Sequence, residues 1–321
     1  MPSRSKHHEG SNMTAGIPTP LATAVLAFTM LTGVAFADEA EVVGAGIPAL
    51  QADKSLHDML PEKIREAGKI SIVTDAHYPP CQYFAADNKT IVGYEPDLWK
   101  AITEKLGITY TVESIDFAGL IPGVEGGRYD MAAECISDNP ERQKRVTFID
   151  DAYATGAVFK LASNTSITSD ADSLCGLTVA VQQGFDFVNV VNDEMTPHCT
   201  SKGLKPVTVN QYPSGDAVLL ALYSGRVDFV LNDIAATEEI KKRAPKPIRV
   251  VENEYLPKYY NGMVVKKDNM ELAEALLAGL KAVHAEGVYD KIMEKWDISL
   301  LALKEPGINL ATKKPLTQPK P

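Results

Sequence analysis

Short apolar strands alternate with amphipathic helices along this chain, and each strand empties into polar residues. That alternation constrains the fold more than any other feature. Lys69-Ile70-Ser71-Ile72-Val73 reads as a buried strand running into the loop Thr74-Asp75-Ala76-His77-Tyr78-Pro79-Pro80-Cys81. Before it, a helix is expected around Met59 to Glu66, ended near Gly68. After it, Leu98, Ile102 and Leu106 recur every four residues up to Gly107, the stripe and stop of a helix. A strand at Thr109 to Val112, a short helix from Phe117 to Val124 and a strand at Tyr129 to Ala133 follow. This order predicts an α/β unit with a mainly parallel sheet. The pattern then restarts with strands at Ala157 to Leu161, Thr178 to Val181, Pro206 to Val209 and Val227 to Asn232. Ser214 caps the intervening helix, and two helices carrying Leu272 to Val283 and Val288 to Trp296 close the chain. Two α/β units result, joined by extended crossings near Tyr153 to Phe159 and Tyr259 to Val264. Ligands of open α/β sheets sit beyond the carboxyl ends of the strands, so the loops at Asp75, Glu134, Gly184 and Asp233 face a common cleft.

One of those strand ends has the chemistry of a carboxylate site. Within Cys135 to Phe148, the strand is followed by Ser137, Asn139, a proline at the first helical position and Arg142. Backbone N–H groups at a helix start, together with a guanidinium that never loses its charge, suit a carboxylate.

Composition narrows the partners. The 321 residues carry a formal net charge of -10 and no basic stripe, which argues against nucleic acid. Arg4 and Lys6, an apolar run from Leu21 to Phe36 and the small-residue site Ala35-Phe36-Ala37 form a secretory signal cut near Ala37, with Met13 an alternative start. The run contains Thr23, Thr29, Thr32 and Gly33, which speaks against a membrane anchor. The mature chain is therefore expected to be exported and soluble. Cys81, Cys135, Cys175 and Cys199 all survive cleavage into an oxidising compartment. Four cysteines permit three pairings, and spacing does not choose among them. No Cys-x-x-Cys motif occurs and the six histidines lack metal-ligand spacing, so neither a metal nor a cofactor is expected.

From about Gly68 to Trp296 the chain resembles the family 3 extracellular solute-binding proteins, the periplasmic receptors of polar amino-acid ABC importers. The motifs that carry the resemblance are Thr74-Asp75 with Tyr78-Pro79-Pro80, Gly93-Tyr94-Glu95-Pro96-Asp97-Leu98, and Asp116-Phe117-Ala118-Gly119-Leu120-Ile121-Pro122. They continue through Glu141-Arg142, Phe148, Gly176 to Gln182 with Gly184, Gly225-Arg226-Val227-Asp228 leading to Asp233, and Lys295-Trp296. The resemblance implies a two-lobed periplasmic-binding-protein fold with two hinge crossings. Residues 1–37 are then the signal, 38–55 a flexible lead-in, 56–156 with 260–302 the first lobe, 157–259 the second lobe, and 303–321 a flexible tail. It further implies a monomer without enzymatic activity that hands an amino acid to a membrane permease.

The resemblance also implies roles. Arg142, Ser137 and the N–H groups after Gly184 meet the ligand's α-carboxylate, Asp233 meets its ammonium, and Tyr78 and Phe117 flank its side chain. It pairs Cys175 with Cys199, as is common among relatives. Cys81 and Cys135 fall at the ends of neighbouring strands and form the second expected pair. Three departures stand out. Cys81 replaces an aromatic, Phe185-Asp186 replaces a threonine-containing pair so that one carboxylate-binding hydroxyl is missing, and Glu134 stands where a small residue is usual. Glu134 and Asp75 in one pocket favour a cationic side chain such as that of arginine, lysine or ornithine. The alternatives are a neutral polar amino acid, with Glu134 turned away to a basic partner and Asp75 only ordering its loop. A further alternative is a cyclohexadienyl dehydratase-like enzyme using Glu134 as general acid.

Overall fold

The computed structural model describes residues 42–251 and 256–318. Residues 1–37, expected to be a secretory signal, lie outside the described residues. Thirteen strands are described: β1 Lys69–Thr74, β2 His77–Tyr78, β3 Gln82–Phe84, β4 Ile91–Val92, β5 Thr109–Ser114, β6 Met131–Ser137, β7 Val146–Leu161, β8 Thr178–Gln182, β9 Thr208–Tyr212, β10 Phe229–Asp233, β11 Ile248–Val251, β12 Lys258–Lys266 and β13 Ala302–Ile308. Ten of them form one sheet in the order β5-β1-β6-β12-β7-β10-β8-β9, with β11 and β13 also paired to β7, and β2-β3-β4 form a small sheet beside it.

The sheet is mixed, where mainly parallel pairing was expected. β5-β1-β6 and β10-β8-β9 are parallel at the two ends. In the middle, β12 runs antiparallel to both β6 and β7, and β7 antiparallel to β10. The cause is the double crossing. β7 passes from the first half of the sheet to the second over 16 residues, and β12 returns beside it, Lys258 opposite Thr155 and Lys266 opposite Val146. Two strands that cross in opposite directions must pair antiparallel.

Both faces of each half are covered, which is why the inner strands β1, β6, β8 and β10 read as largely apolar runs, while the edge strands β5 and β9 are more polar and more exposed. In the first half the helices Tyr94–Leu106, Met270–Ala285 and Val288–Lys295 bury Trp99, Ile102, Leu276 and Tyr289 on one face, while Leu120 and Val124 pack on Val73, Ala132 and Phe148 on the other. In the second half, Val179, Val191 and Phe229 form one layer, and Phe159, Leu222 and Val230 the opposite one.

Two segments expected to be flexible are ordered. In the lead-in, Val43, Ile47, Leu50 and Leu56 pack on the first core, the Gly44 N–H donates to Asp97 Oδ1 at 2.6 Å, and Lys54–His57 form a helical turn. In the tail, β13 pairs with β7, and Leu303 and Ile308 are buried. The Pro/Lys-rich composition after Leu303 hides this, because backbone pairing and two apolar anchors hold the segment. Both cysteine pairs form, Cys81 with Cys135 at a Cα–Cα distance of 6.0 Å and Cys175 with Cys199 at 5.5 Å.

Candidate functional site

The residues expected to bind ligand fall into two groups, an acidic one around Asp75, Glu134 and Asp233 and one around Ser137, Arg142 and Gly184. Asp75, just past β1, is fully engaged within the chain. Its Oδ1 lies 2.5 Å from His77 Nδ1, while Oδ2 accepts from the Phe117 N–H at 3.2 Å and from Gln182 Nε2, in the other half, at 2.8 Å. These contacts order the loop after β1 and tie it to Gln182 of the other half. The hydrogen bond to Asp75 raises the His77 pKa against the opposing effect of burial.

Glu134 behaves in the opposite way. It is completely buried on β6, and neither carboxylate oxygen has a hydrogen-bond partner among the described residues. It has not turned away to a lysine or arginine. Burial, then the nearby Asp75 and Glu95 carboxylates, push its pKa well above the usual range. The next residue, Cys135, adopts φ +44°, a backbone conformation rare outside glycine. That turn is held by the bridge to Cys81 and by the Cys135 N–H donating to Glu95 Oε1 at 3.0 Å. Glu95 is itself buried, and its pKa rises to about 8 for that reason.

Asp233 closes the acidic end from the second half. Burial pushes its carboxyl up to about 7. Its Oδ1 also caps the short 3₁₀ turn Ile234–Ala236, accepting from the Ala235 N–H at 3.3 Å, so cap and site residue are one. Above it lie three aromatic rings. Phe185 sits 4.3 Å from Phe117 and 5.3 Å from Tyr78, centroid to centroid, and packs on the cores of both halves. Gly184, with φ +89°, lets the chain pass Phe117, because a Cβ there would lie 3.2 Å from that ring.

At the other end Asn139 Oδ1 accepts from the Arg142 N–H at 2.8 Å and starts the turn Arg142–Lys144, as the proline-led pattern anticipates. Arg142 Nη1 donates to Ser137 O at 2.8 Å and Ser137 Oγ at 2.6 Å, and Nη2 donates across the crevice to Gly184 O at 2.9 Å. The residue that sequence reasoning missed is Asp186. Its Oδ2 accepts from Ser137 Oγ at 2.6 Å and Asn139 Nδ2 at 2.8 Å, and lies 3.3 Å from Arg142 Nη1. It had been noted only as the loss of a hydroxyl. The available signal was an acid beside Gly184 at the start of a helix that faces Arg142.

Little space remains between these groups. Two small voids remain, about 20 Å³ among Tyr78, Cys135, Phe185, Asp233 and Asn261 and about 10 Å³ among Tyr94, Cys135, Asp233 and Asn261. Two larger cavities flank the crevice, about 500 Å³ beside Tyr83 and Tyr223 and about 550 Å³ beside Glu141 and Tyr259. Glu134 is fully buried, so a ligand reaches it only if the structure opens.

The whole chain can now be set beside known proteins. The model of the bacterial extracellular solute-binding proteins, family 3, matches residues 70–298. An arginine-binding protein of Corynebacterium glutamicum is 29% identical over 272 residues, 84% of this chain and 85% of the relative. The lysine/arginine/ornithine-binding periplasmic protein of Escherichia coli is 30% identical, covering 77% of this chain and 92% of the relative. Among solved structures, an ancestral arginine-binding protein bound to glutamine superposes with a TM-score of 0.64 at 31% identity, over 72% of this chain and 98% of that one.

Proposed function

This chain belongs to the bacterial extracellular solute-binding proteins of family 3, and on that premise we propose that it is the exported receptor of an ABC importer for a basic amino acid. One observation carries the choice of ligand. Glu134 is a fully buried carboxylate without a partner, close enough to Asp233 for each charge to act on the other. Two buried acids whose ionised forms burial disfavours are relieved by a cation brought in from solution. In this reading Asp233 takes the α-ammonium, Glu134 the side-chain cation, and the aromatic rings of Tyr78, Phe117 and Phe185 cover the aliphatic stem between them. The α-carboxylate lies toward Arg142 and Ser137. The relatives named for arginine, lysine and ornithine support the same class.

Access then requires motion. The halves of the sheet act as two lobes, 56–156 with 260–302 and 157–259, hinged where β7 and β12 cross. The chain binds and does not catalyse, so ligand raises stability without being consumed. Titration calorimetry at neutral pH with arginine, lysine, ornithine, glutamine and glutamate tests the assignment. A basic amino acid should bind at least about tenfold tighter than glutamine. Tighter binding of glutamine than of all three basic amino acids would overturn the cationic choice and leave the receptor reading standing.

A further inference from the structure

The carboxylate-binding end already holds a carboxylate, and it belongs to the chain itself. One oxygen of Asp186 receives the Ser137 hydroxyl and the Asn139 amide at 2.6 and 2.8 Å and faces Arg142 Nη1 at 3.3 Å. The side chains of Arg142 and Asp186 are 11% and 15% exposed, so water screens the pair only weakly. The remaining Arg142 donors that the structure places are spent on Ser137 and Gly184. The carboxyl groups of Asp138 and Glu134 also lie close enough to feel the same guanidinium. A second carboxylate entering here meets a cation already neutralised and an anion that repels it.

We propose that Asp186 is the specificity-determining residue of this end of the cleft: it competes with the ligand's α-carboxylate for Arg142, Ser137 and Asn139, so the site selects ligands by their cationic groups and accepts derivatives whose carboxyl group is neutral or missing. The inference rests on the basic-amino-acid reading above. It adds that the free carboxylate contributes little, unlike the case of a receptor whose arginine awaits the ligand.

The test is titration calorimetry of the purified protein and of Asp186→Asn with arginine, arginine amide and agmatine, the decarboxylated amine. In the unaltered protein the amide should bind within about tenfold of arginine. Asp186→Asn should tighten arginine by about tenfold or more while leaving the amide within about threefold. An unaltered protein that binds arginine about a hundredfold tighter than its amide overturns the inference alone, whether or not the variant folds. So does a variant that weakens arginine. Failure of all three ligands to bind either protein overturns the basic-amino-acid reading itself, and the inference with it.

Discussion

The backbone N–H of Asp233 donates to the phenol oxygen of Tyr78 at 2.9 Å, tying together residues 155 positions apart on opposite sides of the crevice. Together with Gln182 to Asp75 and Arg142 to Gly184, it holds the halves in contact. The same N–H also reaches Asn232 Oδ1 at 2.8 Å, so removing the phenol does not orphan it. Tyr78→Phe should therefore fold normally but loosen the closed arrangement by about 1 kcal/mol. Small-angle scattering should give a larger radius of gyration for the ligand-free variant, returning to the parent value with saturating arginine. An identical profile for parent and variant would show that this bond does not hold the halves.

Glu134→Gln should pull binding and stability in opposite directions. A buried carboxylate without a partner is destabilising, and an amide of the same shape removes that penalty. The variant should melt several degrees higher at pH 8 and bind arginine about 2–3 kcal/mol more weakly. Calorimetry and thermal melts on one preparation decide it. Lower stability with unchanged affinity would mean that Glu134 serves the fold and leaves the ligand to other groups.

The pH dependence has a defined sign. Asp233, at about 7, and Glu134, pushed still further from its usual range, grip a cation only when ionised. Binding should thus release protons, and affinity should rise from pH 5.5 to 8. Ligand-free stability should move the other way. An acid whose folded pKa is raised contributes stability that is complete below its unfolded value and lost as pH rises through the folded one. For Asp233 and Glu95 that window runs from about 4 to about 7 and 8. His77, also raised, adds a loss in the same direction. Titrations in buffers of different ionisation enthalpy count the protons. Affinity that falls as pH rises would exclude these acids as the cation's partners.

Much of this site was legible in the sequence, because apolar runs and glycine punctuation fix where strands end, and strand ends line the cleft. Strand ends single out Glu134, Arg142 and Asp233, while Tyr78 and Phe117 come from the family resemblance. Asp186 was not, since its role exists only across a contact between segments 49 residues apart. Asp75 has partners of the same long-range kind. A carboxylate at a strand end looks available until Gln182 and the Phe117 N–H are seen to occupy it. The contacts of the lead-in and the tail are less legible, because backbone bonds to Asp97, Glu104, Asp138 and Asp150 supplement a few scattered apolar anchors that show no periodicity.

The two disulfides should separate by function. The bridge between Cys175 and Cys199, 24 residues apart, lies in the second-half core away from the crevice. Replacing both by serine should lower stability by about 3 kcal/mol and leave arginine affinity unchanged. The bridge from Cys81 to Cys135 fixes the turn next to Glu134, so its removal should lower stability and weaken arginine as well. Melts and titrations on both double variants check the contrast. Equal affinities in the two would show that the turn at Cys135 keeps its shape without the bridge.

The tail makes a stricter demand on the fold than its composition suggests. Asp138 and Asp150 are buried side by side, and burial first, then each other's charge, raises Asp150 to about 8. The tail supplies donors to both: the Leu310 N–H reaches Asp150 Oδ2 at 2.8 Å and the Ala311 N–H reaches Asp138 Oδ2 at 2.9 Å. Asn309 Oδ1 accepts from the Phe148 N–H, Tyr260 donates its hydroxyl to Lys314 O, and the Gln318 amide bonds both the N–H and the carbonyl of Lys258. The last two contacts grip β12, one of the two strands that cross between the halves. Ending the chain after Leu303 would remove all of these donors and uncover Ile149 and Asp150 along β7. Each lost bond to a carboxylate is worth about 1.5–3 kcal/mol, partly recovered by water that then reaches the pair. The truncated protein should melt at least about 5 °C lower than the full chain. Because water now reaches Asp138 and Asp150, its loss of stability between pH 5 and 8 should also be shallower. Melts across that range test both parts. A truncated chain that melts with the full one at every pH would show that the tail lies on the fold without holding it.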